Sequence, residues 1–403
     1  MQDEIMVLNI EDPNDKVNKK SFALFALGFR PFFLLAAITA PAFIILWMLK
    51  LFGMITLSNY YSSTGWHAHE MLFGYTVAVI AGFLLTAAGN WTGVKMISGW
   101  RLALLSVVFV LGRVAPFITE LPYGLIAALD LFFIPLVAVL IAIPVIKVKQ
   151  WSNIVFVPIL LAMALANLTV HLSSLNIIDI STVSGNRAML YLIILLIVVM
   201  GGRVIPFFTE RGVEGVITKK WTLIETLSWF SVVLLLITDV IYVNTLLAGY
   251  ASLLAVVIHA VRLAGWYSNK IWQVPLVWIL QISYAWLIVG FFLKSLMIFD
   301  LSAAIFSYHA LTVGGIGIMT LGMMARVSLG HTGREMKLNS WMVLAFILIN
   351  VAVVFRVILP VFMPDYYLPF IQVAGWLWIT AFVIYFVVYT PMWIRPRVDG
   401  RPG

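Results

Sequence analysis

Twelve apolar runs, most of about twenty residues, follow one another along the chain, separated by short polar segments. They cover residues 31–53, 68–89, 101–118, 122–146, 152–174, 187–209, 221–241, 244–265, 275–297, 303–327, 340–363 and 367–392. A helix needs about 20 apolar residues to cross a hydrocarbon core of about 30 Å, and a backbone in lipid must satisfy its own hydrogen bonds. The pattern therefore predicts an all-α integral membrane protein with about twelve transmembrane helices, the third of them short. Lys and Arg cluster in alternate loops: Lys95 and Arg101, Lys147 and Lys149, Arg211 with Lys219 and Lys220, Lys270, Arg334 and Lys337. Lys16, Lys19, Lys20 and Arg30 precede the first run, and Arg395, Arg397 and Arg401 follow the last. The intervening loops carry almost none, Arg187 being the exception. This alternation predicts that both termini are cytoplasmic. The expected organisation is a cytoplasmic tail over 1–30, one polytopic domain over 31–393 and a cytoplasmic tail over 394–403.

Composition agrees and narrows the chemistry. The chain is 63% hydrophobic and only 10% charged, where soluble domains are nearer half and a quarter. Its first twenty residues lack the apolar core of a signal peptide, so nothing is expected to be cleaved. The net charge of +8 is accounted for by the positive-inside anchors and does not call for nucleic acid. There are no cysteines, which rules out disulfides, thiolate metal sites, iron–sulfur clusters and CxxCH haem attachment. A metal here must be held by His, Met or carboxylate.

Internal repeats appear at helix spacing. Helices 2 and 10 align without gaps, bringing His69 onto His309, Gly74 onto Gly314, Gly82 onto Gly322 and Thr92-Gly93 onto Thr332-Gly333. Helices 6 and 10 align as Met200, Arg203, Val204, Thr209 and Arg211 onto Met323, Arg326, Val327, Thr332 and Arg334. Arg113-Val114 on helix 3 and Arg356-Val357 on helix 11 are each followed by a proline. The partners lie four or eight helices apart, so the chain is expected to comprise three four-helix units, 31–146, 152–265 and 275–392. One match cuts across this scheme: GRVAPFITE (112–120) and GRVIPFFTE (202–210) lie on helices running in opposite directions.

Six histidines, His67, His69, His171, His259, His309 and His331, carry the candidate chemistry, because an imidazole in hydrocarbon requires a partner. His67, His69, His171 and His309 fall in the outer half with Arg113 and Arg356, within a layer roughly 10 Å thick at 1.5 Å per residue. His259, with Arg262, Arg203 and Arg326 fall in the inner half, and His331 in an inner loop. His67 and His69 are two apart, which turns them about 200° from each other on a helix, so two centres on opposite sides of helix 2 are expected. Glu70 shares the face of His67 and is a candidate to fix its tautomer or handle a proton. Competing structural readings stand beside these: an interfacial role for His67, polar glue for His171 beside Asn167 and for His259 beside Arg262, and a plain surface role for His331. Asp130, Glu225 and Asp239 are read first as span-end or structural residues and second as proton-handling groups, and the methionines of 317–326 first as packing and second as thioether ligands for copper. Two axial histidines from two helices suit haem b, imidazole also suits copper, and Arg113, Arg203, Arg326 and Arg356 are candidate partners for haem propionates.

GFRPFFLLAA (28–37), WHAHEMLFGY (66–75), GFLLTAAGNWTG (82–93), GRVIPFFT (202–209), HALTVGGIG (309–317) and MARVSLGHTGR (324–334) together resemble the NnrS family over nearly the whole chain. The resemblance implies a bacterial inner-membrane protein containing haem and copper, tied to denitrification and nitric oxide resistance, with histidines among His67, His69, His171, His259, His309 and His331 as ligands. The three-by-four arrangement also resembles subunit I of haem-copper oxidases and nitric oxide reductases, where the second and tenth helices hold a haem. Here, however, helix 7 has no histidine for a copper site of that kind. Three functions follow as expectations: a nitric oxide reductase fed by quinol, a non-catalytic haem sensor or metal-handling protein, and a secondary transporter. Transporter repeats usually pair six helices with six, which counts against the last.

Overall fold

A computed structural model describes residues 22–401 except 57–59, 62, 243–244, 300 and 302–304. The described residues form helices and no strand. Twelve helices are long and apolar enough to span: α1 (Phe29–Leu51), α2 (Thr64–Thr92), α3 (Trp100–Phe117), α4 (Tyr123–Lys147), α5 (Trp151–Ser174), α6 (Thr182–Gly212), α7 (Thr222–Ile241), α8 (Thr245–Trp266), α9 (Pro275–Phe299), α10 (Ser307–His331), α11 (Ser340–Phe362) and α12 (Pro364–Ile394). Each overlaps its predicted run and differs by a few residues at the ends, where polar residues join the helix.

The helices close into a ring in which α4 packs on α5, α8 on α9 and α12 on α1, while α2, α6 and α10 meet one another at the centre. These three central helices are 83%, 72% and 89% buried over their apolar cores, against 61% for the next, so they are the inner layer. Small residues let the outer helices close on them. A Cβ on Gly82 would lie 3.0 Å from Phe32 and Phe33 of α1, and one on Gly322 would lie 2.9 Å from Ile279 of α9. Since α1 precedes α2 as α9 precedes α10, the same contact recurs in two units. On the peripheral helices the exposed stripe is apolar, as with Leu104, Val107, Leu111 and Val114 of α3, the spacing of a lipid-facing helix surface.

The backbone widens into π-helix at Glu70–Thr76 of α2 and Ala310–Gly317 of α10. Both segments begin directly after a histidine, at positions the sequence repeat equates. Two further π segments, Ile237–Ile241 of α7 and Val354–Ile358 of α11, place Asp239 and Arg356 at matching points. Such segments often mark functional sites because they re-aim side chains.

Two positions depart from expectation. Arg30, counted with the tail before the first span, is the second residue of α1 and fully buried. Its Nη1 donates to the carbonyls of Trp393 (2.8 Å) and Arg395 (2.7 Å), capping the end of α12 where carbonyls lack intrahelical partners. His331, expected in a loop, is the last residue of α10. The tail over 1–30 falls mostly outside the described residues.

A larger side chain at a close-packed glycine tests the arrangement. A Cβ on Gly185 would lie 2.6 Å from Val170 and 2.9 Å from the backbone oxygen of Ala166, where α6 meets α5. Gly185→Leu is expected to destabilise the protein by about 1–3 kcal/mol, read as a lowered midpoint of thermal unfolding in detergent. An unchanged midpoint would contradict this packing.

Candidate metal centres

His69 and His171 face each other across Asp130 at the end of the bundle opposite the start of α1. Their rings are 5.5 Å apart, edge to face. The side chains come from α2, α5 and α4, all three are buried, and one ligand atom from each lies within 4.8 Å of the others. Asp130 Oδ2 is 2.8 Å from His171 Nε2 and 3.3 Å from His69 Nε2. His69 Nδ1 donates to Glu70 Oε1 at 3.2 Å, and its Nε2 also faces Asn167 Oδ1 at 3.0 Å. Both nitrogens of one imidazole thus face oxygens of neighbouring side chains, which fixes the orientation of the ring. Tyr60 and Tyr61 close the set from the segment before α2, their hydroxyls 2.7 Å from His171 Nδ1 and 3.3 Å from His69 Nε2. Burial pushes both phenol pKa values up, so the hydroxyls stay protonated. Arg113 of α3 balances the carboxylates, binding Glu70 Oε1 at 3.0 Å and ion-pairing with Asp130.

The second set lies on the other side of α2. His67 stacks on Trp47 of α1, ring centroids 4.6 Å apart and 18° from parallel. His309 of α10 accepts from Arg356 Nη2 of α11 at 2.9 Å through Nε2. His67, His309 and Arg356 are close enough to interact electrostatically. His67 Nδ1 and Arg356 Nη1 are buried without a hydrogen-bond partner. Unpaired buried groups of this kind are costly and rare.

Residues 23–397 match the family described as NnrS protein. The chain belongs to the NnrS family. That family is linked to nitric oxide metabolism and to haem and metal binding in general. No curated protein matches the chain in sequence.

Within this NnrS chain the remaining candidates have other surroundings. His259 is saturated: Nε2 meets Ser231 Oγ at 3.1 Å and Nδ1 meets Tyr284 OH at 2.6 Å. Arg262 below it binds Tyr284 OH at 2.8 Å, the Val198 carbonyl at 3.0 Å and Glu225 Oε1 at 3.0 Å, a network that joins α6, α7, α8 and α9. His331 packs on Phe29 and sits 3.5 Å from Asn90 Nδ2, and its carbonyl accepts from Arg397. Arg203 is exposed and donates to Asn153 and the Ser152 carbonyl, so it belongs to a loop contact. Arg326 is buried over the ring of Phe208, 3.7 Å from its centroid. The similar words around Arg113 and Arg203 therefore sit in unlike places, one in a buried charge network and one at the surface.

His67 and His69 point to different sets. Either was open in the sequence as the partner of His309 across helices 2 and 10, and His309 lies near His67. Glu70, placed on the face of His67, instead meets His69, because the wider π turn starts at Glu70 and moves it off the regular helical position. Asp130, read as structural, is the hub of the first set. The signal was present, since an acid inside an apolar run is itself a candidate site. Tyr60 and Tyr61 gave no signal, because a short polar loop does not reveal what it folds over.

Removing the hub strands its partners. Asp130→Leu leaves Arg113 underpaired in the interior and is expected to cost about 3–5 kcal/mol, whereas Asp130→Asn keeps hydrogen bonding and costs roughly 1–3 kcal/mol. Thermal unfolding of the two variants in detergent measures the gap, and equal stability would show that hydrogen bonding at position 130 contributes nothing beyond the charge.

Proposed function

We propose that this protein is a haem- and copper-binding component of the bacterial inner membrane that takes nitric oxide as ligand or substrate. The observation that carries this reading is the pair of histidine sets on opposite sides of α2, one built around a carboxylate and the other holding an unpaired imidazole nitrogen at His67. His67 and His309 would hold the haem b: they are imidazoles from two helices, in a chain with no cysteine. The spare Nη1 of Arg356 suits a propionate. His69, Asp130 and His171 would hold copper, for which imidazole and carboxylate are a suitable donor set. When bound, these groups supply one-electron chemistry toward nitric oxide.

The chain's own residues prepare both sites. Glu70 fixes the tautomer of His69 through Nδ1, and Tyr60 orients His171, so that both Nε2 atoms face Asp130. Trp47 holds the plane of His67 by stacking. The alternation of Lys and Arg supports a cytoplasmic position for both termini and puts the two sets near the periplasmic face. Reduction of two nitric oxide molecules to nitrous oxide and water takes up two electrons and two protons. In a chain without a cytochrome c motif those electrons would come from quinol or from a separate partner protein.

Optical and EPR spectra with metal analysis of purified protein test the assignment. His67→Ala and His309→Ala are each expected to remove the low-spin haem signal, while His171→Ala lowers copper and leaves the haem. Equal haem content in all three variants would overturn it. A haem-containing protein that consumes no nitric oxide with a quinol analogue would be a binder or sensor, and turnover would be excluded.

A further inference from the structure

The sequence repeat has a physical centre. Where α2, α6 and α10 meet, they border a partly open cavity of about 60 Å³. Its wall is made by equivalent positions of the three helices: Ile80, Ile197 and Thr320 form one layer, and Phe83, Met200 and Met323 the next. Phe33 of α1 completes the lining. The cavity is thus a property of the threefold repeat, lying where its three inner helices face one another.

The chemistry of the wall selects the occupant. Thr320 turns its hydroxyl to the Ile316 carbonyl at 2.7 Å and to Tyr75 OH, and Thr76, which also borders the space, turns its own to the Met71 carbonyl at 2.8 Å. No hydroxyl is left for a guest. A water requires about 10–15 Å³ and two to four polar partners. This cavity has the room and lacks the partners, so water gains nothing by entering. The space is well below the roughly 150 Å³ of a cavity that holds benzene. An apolar molecule of two or three atoms fits within it.

We propose that this axial cavity is a binding site for an apolar diatomic gas. Naming that gas as nitric oxide rests on the function proposed above, whereas the site itself does not. A neutral diatomic partitions into hydrocarbon, so the site is reached through the lipid-facing surface without a polar channel. The methionines Met200 and Met323 offer polarisable, adaptable contacts to such a guest.

Xenon is a probe of suitable size and polarity. Crystals of the full-length protein under xenon pressure are expected to show an anomalous peak between Ile197 and Met323. In Ile197→Phe, and independently in Ile80→Phe, the added ring should lower its occupancy about tenfold or more, as overfilling a packed space excludes a guest. Two variants on different helices guard against the misfolding of one. Absence of xenon at this position in the unaltered protein, or an ordered water or acyl chain filling it, would overturn the proposal. Xenon bound at the axis of a protein that contains neither haem nor copper would sink the nitric oxide assignment alone.

Discussion

A carboxylate in the interior of a membrane protein must be neutralised by its neighbours, and Asp130 imposes that condition on a third of the bundle. Its charge is answered by Arg113 from α3, by His69 from α2 and by His171 and Asn167 from α5. Four helices are thereby held at fixed distances by one side chain. Gly112 is part of the same requirement, since a Cβ there would lie 2.9 Å from Asp130 Oδ1. The ion pair brings the helices together, and the glycine allows the approach. The geometry of the histidines follows from the carboxylate: their Nε2 atoms converge because both are drawn to the same oxygen.

The spans were legible because lipid imposes a plain rule. Twenty apolar residues in a row have few other uses, and every predicted run overlaps a helix. The likeness of α2 to α10 was legible for a different reason. Glycines such as Gly82 and Gly322 recur where an outer helix closes on a central one, so packing leaves a periodic trace in the sequence. The partners of the histidines were less legible. Depth along a helix can be counted from its start, and His67, His69, His171 and His309 do lie at the same end. Azimuth cannot be counted once the helix changes its period. The π segment at Glu70 turns that residue toward His69, and no feature of EMLFGYT announces the change.

The repeat also shows how one scaffold carries different chemistry. On the third helix of two units, matching π segments hold Asp239 and Arg356. Asp239 binds Lys294 at 2.7 Å and Tyr191 at 2.9 Å, which closes a fully paired network. Arg356 binds His309 and keeps a free N–H. The backbone device is the same, and the charge placed on it is reversed. Only the second leaves an unsatisfied polar group in the interior. That contrast separates a structural network from a candidate site better than residue type does, because both contain charges that sequence reading alone would rank equally.

The division of labour around α2 is a consequence of helical geometry. Two histidines two residues apart cannot face one point on a regular turn, so a helix that carries both must stand between two sets of partners. Being central, α2 can do this, with α4 and α5 on one side and α1 and α10 on the other. A peripheral helix would expose one of the two imidazoles to lipid, where it would lack partners. The spacing in WHAHE therefore constrains where this helix sits, and its 83% burial is the answer to that constraint. The apolar cavity on the axis completes the logic: the charged and imidazole groups of α2 are gathered at one end, while further along the helix faces α6 and α10 mostly with hydrocarbon, the Tyr75 hydroxyl on Thr320 being an exception. A secondary transporter built around a polar path through its centre would need the opposite arrangement.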